Sequence, residues 1–209
     1  MAGPRSLAPY HIDRCLYRFR FHLEYSGGQV TNTGHHATDI VQWALGTDGT
    51  GPVEFENGEG VVWPPTGHLY TTAMKTDFHA RYANGITFVC RTQGPGFGAR
   101  FEGTEGWIQY TYNTIEASSE AIKDSVIGPD ETRLPVSENH YRDFIDSVKS
   151  RQEPIEPVEV GHRTASVCHL WNIAIQRMNK KLEWDPEKER FTNDEAANSM
   201  LSRPARDWA

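Results

Sequence analysis

Residues 27–46 read GGQVTNTGHHATDIVQWALG, and the rest of the chain is arranged around how this stretch folds. A Gly-Gly turn enters a short polar run and then an amphipathic segment. Ala37, Ile40, Val41, Ala44 and Leu45 recur at i, i+3, i+4, i+7 and i+8, which predicts one apolar stripe on a helix over residues 33–45. Gly46 suits the left-handed residue that ends such a helix. Asn32 or Thr33 offers a side-chain oxygen to cap its start. His36, Asp39 and Trp43 fall at i, i+3 and i+7 on a face beside the stripe, so imidazoles occupy the first turn.

Residues 1–15 are polar and proline-rich, a connector-like arm, and LYRFRFHLEY over residues 16–25 is expected as a strand or extended arm leading into the turn. Residues 53–116 then alternate between β-rich runs and turn signals. Asn57-Gly58 and Asn84-Gly85 each separate two such runs, the strongest short-range hairpin signal. Gly60 to Trp63 is a candidate strand stopped by Pro64-Pro65. Residues 99–102 and 107–112 form a further hairpin, with residues 114–117 as an edge. Antiparallel neighbours of this kind predict one open sheet.

Residues 124–136 read as an irregular link. Tyr141, Phe144, Ile145 and Val148 mark an amphipathic helix over residues 137–149, and Val167, Leu170, Trp171, Ala174 and Met178 mark a long one over residues 160–180. Lys180-Lys181 would complement that helix's dipole. A two-stranded excursion around Asp185-Pro186 and a short helix capped by Asn193 or Asp194 complete the chain. The fold class is α+β: an open-faced, mainly antiparallel sheet with helices packed on one face, residues 16–209 forming a single domain.

Composition narrows the function. With 28 acidic against 21 basic residues and a net charge of -7, the chain lacks the basic surface a nucleic acid requires. No apolar run approaches the length that spans a bilayer, and the first residues carry no secretory h-region, so the expected location is cytoplasmic. Cys15, Cys90 and Cys168 show no metal-binding spacing and read as reduced thiols. Gly94-Pro95-Gly96-Phe97-Gly98 follows a strand but leads to another strand, so it is a hairpin loop and offers a pyrophosphate no helix N-terminus.

Asn32, His35, His36 and Asp39 form the best polar cluster. The positive end of a helix dipole disfavours imidazolium, and a neutral imidazole is what a general base must be. The same residues also have a plain structural reading, with Asn32 as the cap, His35 exposed, His36 packed and Asp39 bonded to a loop. A metal shared by His35, His36 and Asp39 is disfavoured, because adjacent helical residues point about 100° apart. His162 and His169 lie on the long helix. Arg14, Arg18 and Arg20 of the arm could pair with an acidic group.

The stretches APYHIDRC, EYSGGQVTNTGHHATDIVQWALG, GARFEGTEGWI, NHYRDFIDSVKSRQEPIEPVEVGHRTASVCHLWNIAIQ and KLEWDPEKERFTNDEAANSMLSRP resemble, in order and spacing, the C-terminal domain of the Gfo/Idh/MocA oxidoreductases. The resemblance is to the bacterial branch rich in sugar dehydrogenases. It implies the dihydrodipicolinate-reductase-like open sheet, and an NAD(P)-binding Rossmann domain in the complete enzyme with no counterpart here. Its catalytic lysine motif, which lies in that domain, is likewise missing. No tight cofactor binding by this chain alone is then expected, and no metal.

The family's D-x-G-x-H-x-x-D register falls on Asn32, Thr33, Gly34, His35, His36, Ala37, Thr38 and Asp39. The resemblance makes His36 the acid/base or polarising residue and Asn32 its partner, where an aspartate is common. An amide can orient a hydroxyl but cannot take its proton. Arg14, His35, Asp39 and His162 are expected at the substrate, a sugar or polyol. The implied partners are further copies of the chain, docking through the open sheet, and possibly a separate Rossmann domain. A leader ahead of that domain would make the location periplasmic. The rival expectation is a stand-alone, non-catalytic carbohydrate-binding or oligomerisation module. A third is hydrolysis or elimination assisted by transient oxidation.

Overall fold

The computed structural model describes residues 8–57, 60–92, 97–112, 114–178 and 180–203. They fall into two compact units, residues 1–95 with 163–209, and residues 96–162.

The first unit is a five-stranded antiparallel sheet backed by a helix. Strands β1 (Glu54–Asn57), β2 (Asp77–Arg81) and β3 (Thr87–Arg91) form a meander, β7 (Leu182–Asp185) joins the free edge of β1, and β8 (Arg190–Phe191) lies outermost, giving the order β3-β2-β1-β7-β8. The Asn84-Gly85 turn forms as expected. Gly85 has φ of 87°, and Asn84 Oδ1 accepts from the Ile86 N–H at 3.1 Å. Pairing of Phe55 with Ala80 and Leu182, and of Phe78 with Cys90, puts those side chains on one face by the two-residue period of a strand. Against that face lies the main part of α5 (Val158–Gln176), with Val167, Leu170, Trp171, Ala174 and Ile175 buried. The opposite face is charged, with Asp77 bound to Arg91 at 3.1 Å and Glu54 to Lys181 at 2.8 Å.

Helix α6 (Glu195–Asn198) starts at Asp194, whose Oδ1 accepts from the Ala197 N–H at 2.9 Å. That N–H, then Arg177 and Lys180, hold the Asp194 carboxyl well below the usual carboxylate range. Lys180 and Lys181 thus serve carboxylates beyond a helix that already ends at Gln176, in place of the expected dipole contact.

In the second unit β4 (Gly98–Glu102), β5 (Trp107–Thr111) and β6 (Thr114–Ala117) make a separate antiparallel meander. Helices α3 (Glu120–Lys123) and α4 (His140–Ser150) follow. The register aligns Ala99 with Tyr110 and Ile115, and Phe101 with Ile108 and Ala117, so one face is wholly apolar. That face is thinly covered. Ile115 is 54% exposed, and among the described residues of this unit Ala99 alone is buried.

Several expectations give way. Two sheets stand among the described residues where one was expected. Leu16–Phe21 is a 3-10 helix, not a strand, and Arg20 stacks on the Tyr17 ring at 3.4 Å. The eclipsed i, i+3 geometry of that helix makes this pairing, which the alternating sequence pattern conceals. Gly60–Trp63 contributes only a bridge from Val62 to Lys75. Residues 1–7 of the arm, Gly58 of the first Asn-Gly turn, Gly94 to Gly96 and the last residues from Pro204 lie outside the described residues.

Candidate active site

The candidate site grows from the junction of α1 (Gly28–Thr31) and α2 (Thr33–Leu45). Gly28 turns the chain with φ of 68°, and a Cβ there would sit 2.8 Å from Thr72 Cβ and Oγ1. A Cβ on Gly27 would collide with Thr31 and Asn172. The Gly-Gly pair is therefore required by both conformation and space. Gly28→Ala is expected to destabilise the chain by more than the ~1–2 kcal/mol cost of left-handed backbone alone. Gly46→Ala is the control, since Gly46 has φ of 63° but nothing within 4 Å of its Cβ direction. Urea titration of both variants measures the difference, which the Thr72 overlap supplies.

Asn32 does not cap α2. Its backbone N–H still bonds to Gly28 O at 3.1 Å, so α1 runs almost directly into α2. The Asn32 side chain instead donates to Gln29 Oε1 at 3.3 Å and Thr33 Oγ1 at 3.4 Å, on an exposed surface. The far end of α2 follows expectation, with Gly46 left-handed and its N–H on Trp43 O at 3.1 Å.

The core-facing side of α2 differs from the expected stripe. Thr38, Val41 and Gln42 are buried, whereas Ala44 is exposed and Ala37, Ile40 and Leu45 are half-buried. The Thr38 hydroxyl and the Gln42 amide oxygen can turn inward because each finds a partner, while Gln42 Nε2 has none among the described residues. Cys168 lies 3.6 Å from Thr38 Oγ1, and the Tyr82 hydroxyl donates to Gln42 Oε1 at 3.1 Å. Burial pushes the Cys168 thiol and the Tyr82 phenol each up to about 12, so neither ionises near neutrality.

Three contacts lock α2 and its entry turn to α5. Thr164 Oγ1 donates to Asp39 Oδ1 at 3.2 Å, Cys168 meets Thr38, and Asn172 Nδ2 donates to Gly27 O at 3.0 Å. Asp39 is thus bound to a helix rather than to a loop. On the surface so fixed, His36 is exposed rather than packed, and His35 is half-buried rather than exposed, with ring centroids 6.5 Å apart. Asn32, His35, His36 and Asp39 therefore share one short rigid stretch. Arg14 is engaged by the arm itself, donating to Pro9 O at 3.2 Å, and His162 is exposed in the second unit. Among the described residues no group of histidine, cysteine and carboxylate side chains could hold a metal ion.

The sequence reading passed over Asp48. Desolvation first, then the negative charge of Asp39, raise its pKa, and its Oδ1 has no hydrogen-bond partner among the described residues. A carboxyl raised on folding binds protons more tightly in the folded state, so its contribution weakens the fold as pH rises through and above the usual aspartate range. Asp48→Asn is expected to stabilise the chain at pH 7 and to lose that advantage near pH 3. Thermal midpoints at the two pH values measure this. A Gly-Thr-Asp-Gly loop gives no sign of such a neighbour, since Asp39 reaches it only through the helix.

The whole chain, residues 1–209, matches the family model described as the oxidoreductase family, C-terminal alpha/beta domain. The chain belongs to the Gfo/Idh/MocA oxidoreductase family. A search among curated proteins finds no match. Among solved structures, the aldose-aldose oxidoreductase from Caulobacter crescentus, complexed with glycerol, is similar with a TM-score of 0.55 at 15% identity, over 80% of this chain and 51% of that one. A myo-inositol dehydrogenase, so described provisionally, from Sinorhizobium meliloti 1021 gives a TM-score of 0.45 at 13% identity, over 76% and 50%. This Gfo/Idh/MocA chain thus spans about half the length of the solved relatives it resembles. The family is in general NAD(P)-dependent.

Among the described residues of this Gfo/Idh/MocA domain, no glycine-rich turn leads from a strand into a helix start. Nor is any described helix long and apolar enough to cross a membrane.

Proposed function

We propose that this chain is the substrate-binding and oligomerisation domain of an NAD(P)-dependent sugar or polyol oxidoreductase whose nucleotide-binding half is supplied separately or by a longer polypeptide. The observation that carries the reading is the exposed His36 imidazole, presented on a helix that Thr164, Cys168 and Asn172 hold against the core. Exposure lets it meet a substrate. Rigid support limits the reorganisation needed to reach a carbinol hydroxyl.

In the complete enzyme a nicotinamide held by the nucleotide-binding half would supply the hydride chemistry at the carbinol carbon. His36 takes or returns the hydroxyl proton, while Asn32, one helical turn earlier, orients that hydroxyl through its amide. Asp39 fixes the helix through Thr164, and His35 borders the sugar. Arg14 completes the substrate contacts in this proposal. The apolar face of β4, β5 and β6 is the surface assigned to a second copy, because a three-stranded sheet with one buried side chain gains little stability from its own packing. The location fitting this function is the cytoplasm. The test is turnover by the chain combined with a nucleotide-binding half, His36→Ala against the unaltered protein.

One observation favours a second reading. With an amide in place of a carboxylate at position 32, the surface can bind a carbohydrate without catalysing its oxidation. Sugar binding together with no turnover in the combined protein would select the non-catalytic module.

A further inference from the structure

The face of α2 that presents His36 continues to Trp43. His36, Asp39 and Trp43 fall at i, i+3 and i+7, so each side chain neighbours the next along a regular 13-residue helix. Asp39 Oδ1 accepts from Thr164 Oγ1 at 3.2 Å, which fixes the carboxylate. Its second oxygen has no hydrogen-bond partner among the described residues. Trp43 is 38% exposed. The other described tryptophans are engaged: Trp63 packs on the core, Arg100 lies over Trp107 at 4.1 Å, Trp171 meets Phe78 and Phe88, and Trp184 meets Phe191. The Trp43 indole has neither a ring contact nor a hydrogen bond among the described residues. A locked carboxylate with one open oxygen thus stands between the candidate acid/base and an unoccupied aromatic ring.

We propose that Asp39 and Trp43 lengthen the sugar site along α2, so that it takes a saccharide of at least two units, the reacting unit between His36 and Asp39 and the next stacked on Trp43. The inference rests on the reading of the first turn of α2 as a sugar site and names the size class of its substrate. A carboxylate accepts charge-assisted hydrogen bonds from sugar hydroxyls, and an indole offers a flat apolar face to the C–H side of a sugar ring. Spacing sets the number of units. Successive side chains of the row stand one helical turn apart, ~5 Å, which matches the width of one pyranose ring. Side chains on an α-helix lean toward its N-terminus, equally at both ends of the row, so the ~10 Å from His36 to Trp43 is kept at their tips. A single ring with a hydroxyl at His36 therefore stops short of the indole, and a second ring reaches it.

The experiment is calorimetric titration of the 209-residue chain with D-glucose and D-galactose, and with maltose, cellobiose and lactose. At least one disaccharide is expected to bind about 10-fold or more tightly than either monosaccharide. Trp43→Ala, checked for a native circular dichroism spectrum, is expected to remove that advantage and to leave monosaccharide affinity within about two-fold. Trp43→Phe keeps a ring at the position and is expected to retain part of the advantage. Disaccharides binding no tighter than monosaccharides, or an advantage that survives Trp43→Ala, overturns the extended site. If Asn32→Ala weakens monosaccharide binding while the disaccharides gain nothing, only the extension falls. If no sugar binds, or binding ignores Asn32→Ala, the sugar-site reading falls with it.

Discussion

Replacing Trp171 with alanine is expected to cost about 3–5 kcal/mol of stability, the range for truncating a large aromatic side chain in a packed core. Trp171 is fully buried at the centre of the first unit, with its ring centroid 4.4 Å from that of Phe78 on β2 and 4.8 Å from that of Phe88 on β3. It is the wedge that holds α5 against the sheet. The cavity left by its removal has walls of strand and helix backbone that cannot close without moving α5. Its Nε1–H has no acceptor among the described residues, so the wild-type side chain already carries a desolvated donor. Trp171→Phe is therefore expected to cost clearly less than Trp171→Ala, since it keeps a ring against Phe78 and Phe88 and removes the orphan donor. Urea unfolding followed by far-ultraviolet circular dichroism measures both. A loss below about 1 kcal/mol for the alanine variant would show that the core is centred elsewhere.

The consequence reaches the site, because α5 positions α2. Thr164, Cys168 and Asn172 lie at i, i+4 and i+8 on the α5 face that meets α2, while Val167, Trp171 and Ala174 are buried among the core residues. Two faces of one helix divide the labour: one binds the sheet, the other fixes the entry turn and first turn of α2. Weakening the first face loosens the second. Trp171→Phe, where it folds, is therefore also a test of how much site geometry depends on core packing.

Much of this was legible in residues alone, for identifiable physical reasons. The limits of α2 at Thr33 and Leu45 follow from periodicity and from a glycine whose lack of a side chain permits the left-handed turn at position 46. The strands at residues 98–102, 107–111 and 114–117 follow from β-rich runs broken by glycine turns. What was hidden is long-range. Thr38 and Gln42 turn inward because Cys168 and Tyr82 are there to meet them, and no local pattern announces partners 130 and 40 residues away. The same holds for β7, which reads as half of an isolated hairpin but also pairs with β1. Residues 16–21 failed for the opposite reason: their alternation is real, but they lack a partner strand, and local stacking of Arg20 on Tyr17 decides. At the site, family register singled out His36, while the structure revised its surroundings. It exposed His36, bound Asp39 to α5 and removed Asn32 from the capping role.

In the complete enzyme proposed above, His36→Ala is expected to lower kcat by about 10²–10⁴-fold, the usual contribution of a positioned acid or base. KM should change little, because the role proposed for the ring is to move the hydroxyl proton rather than to hold the sugar. The exposed position of His36 keeps this loss separable from unfolding, since substitutions at such positions commonly shift stability by less than about 0.5 kcal/mol. Asn32→Ala provides the contrast. Among the described residues its amide donates to Gln29 and Thr33 on the exposed surface, so its removal spares the core, and loss of an orienting group should raise KM as well as lower kcat. Steady-state kinetics on both variants, with thermal midpoints confirming equal folding, separates proton transfer from orientation. Unchanged kcat for His36→Ala would remove His36 from the chemistry and leave α2 as scaffold, and the non-catalytic module would then be the better account of the chain.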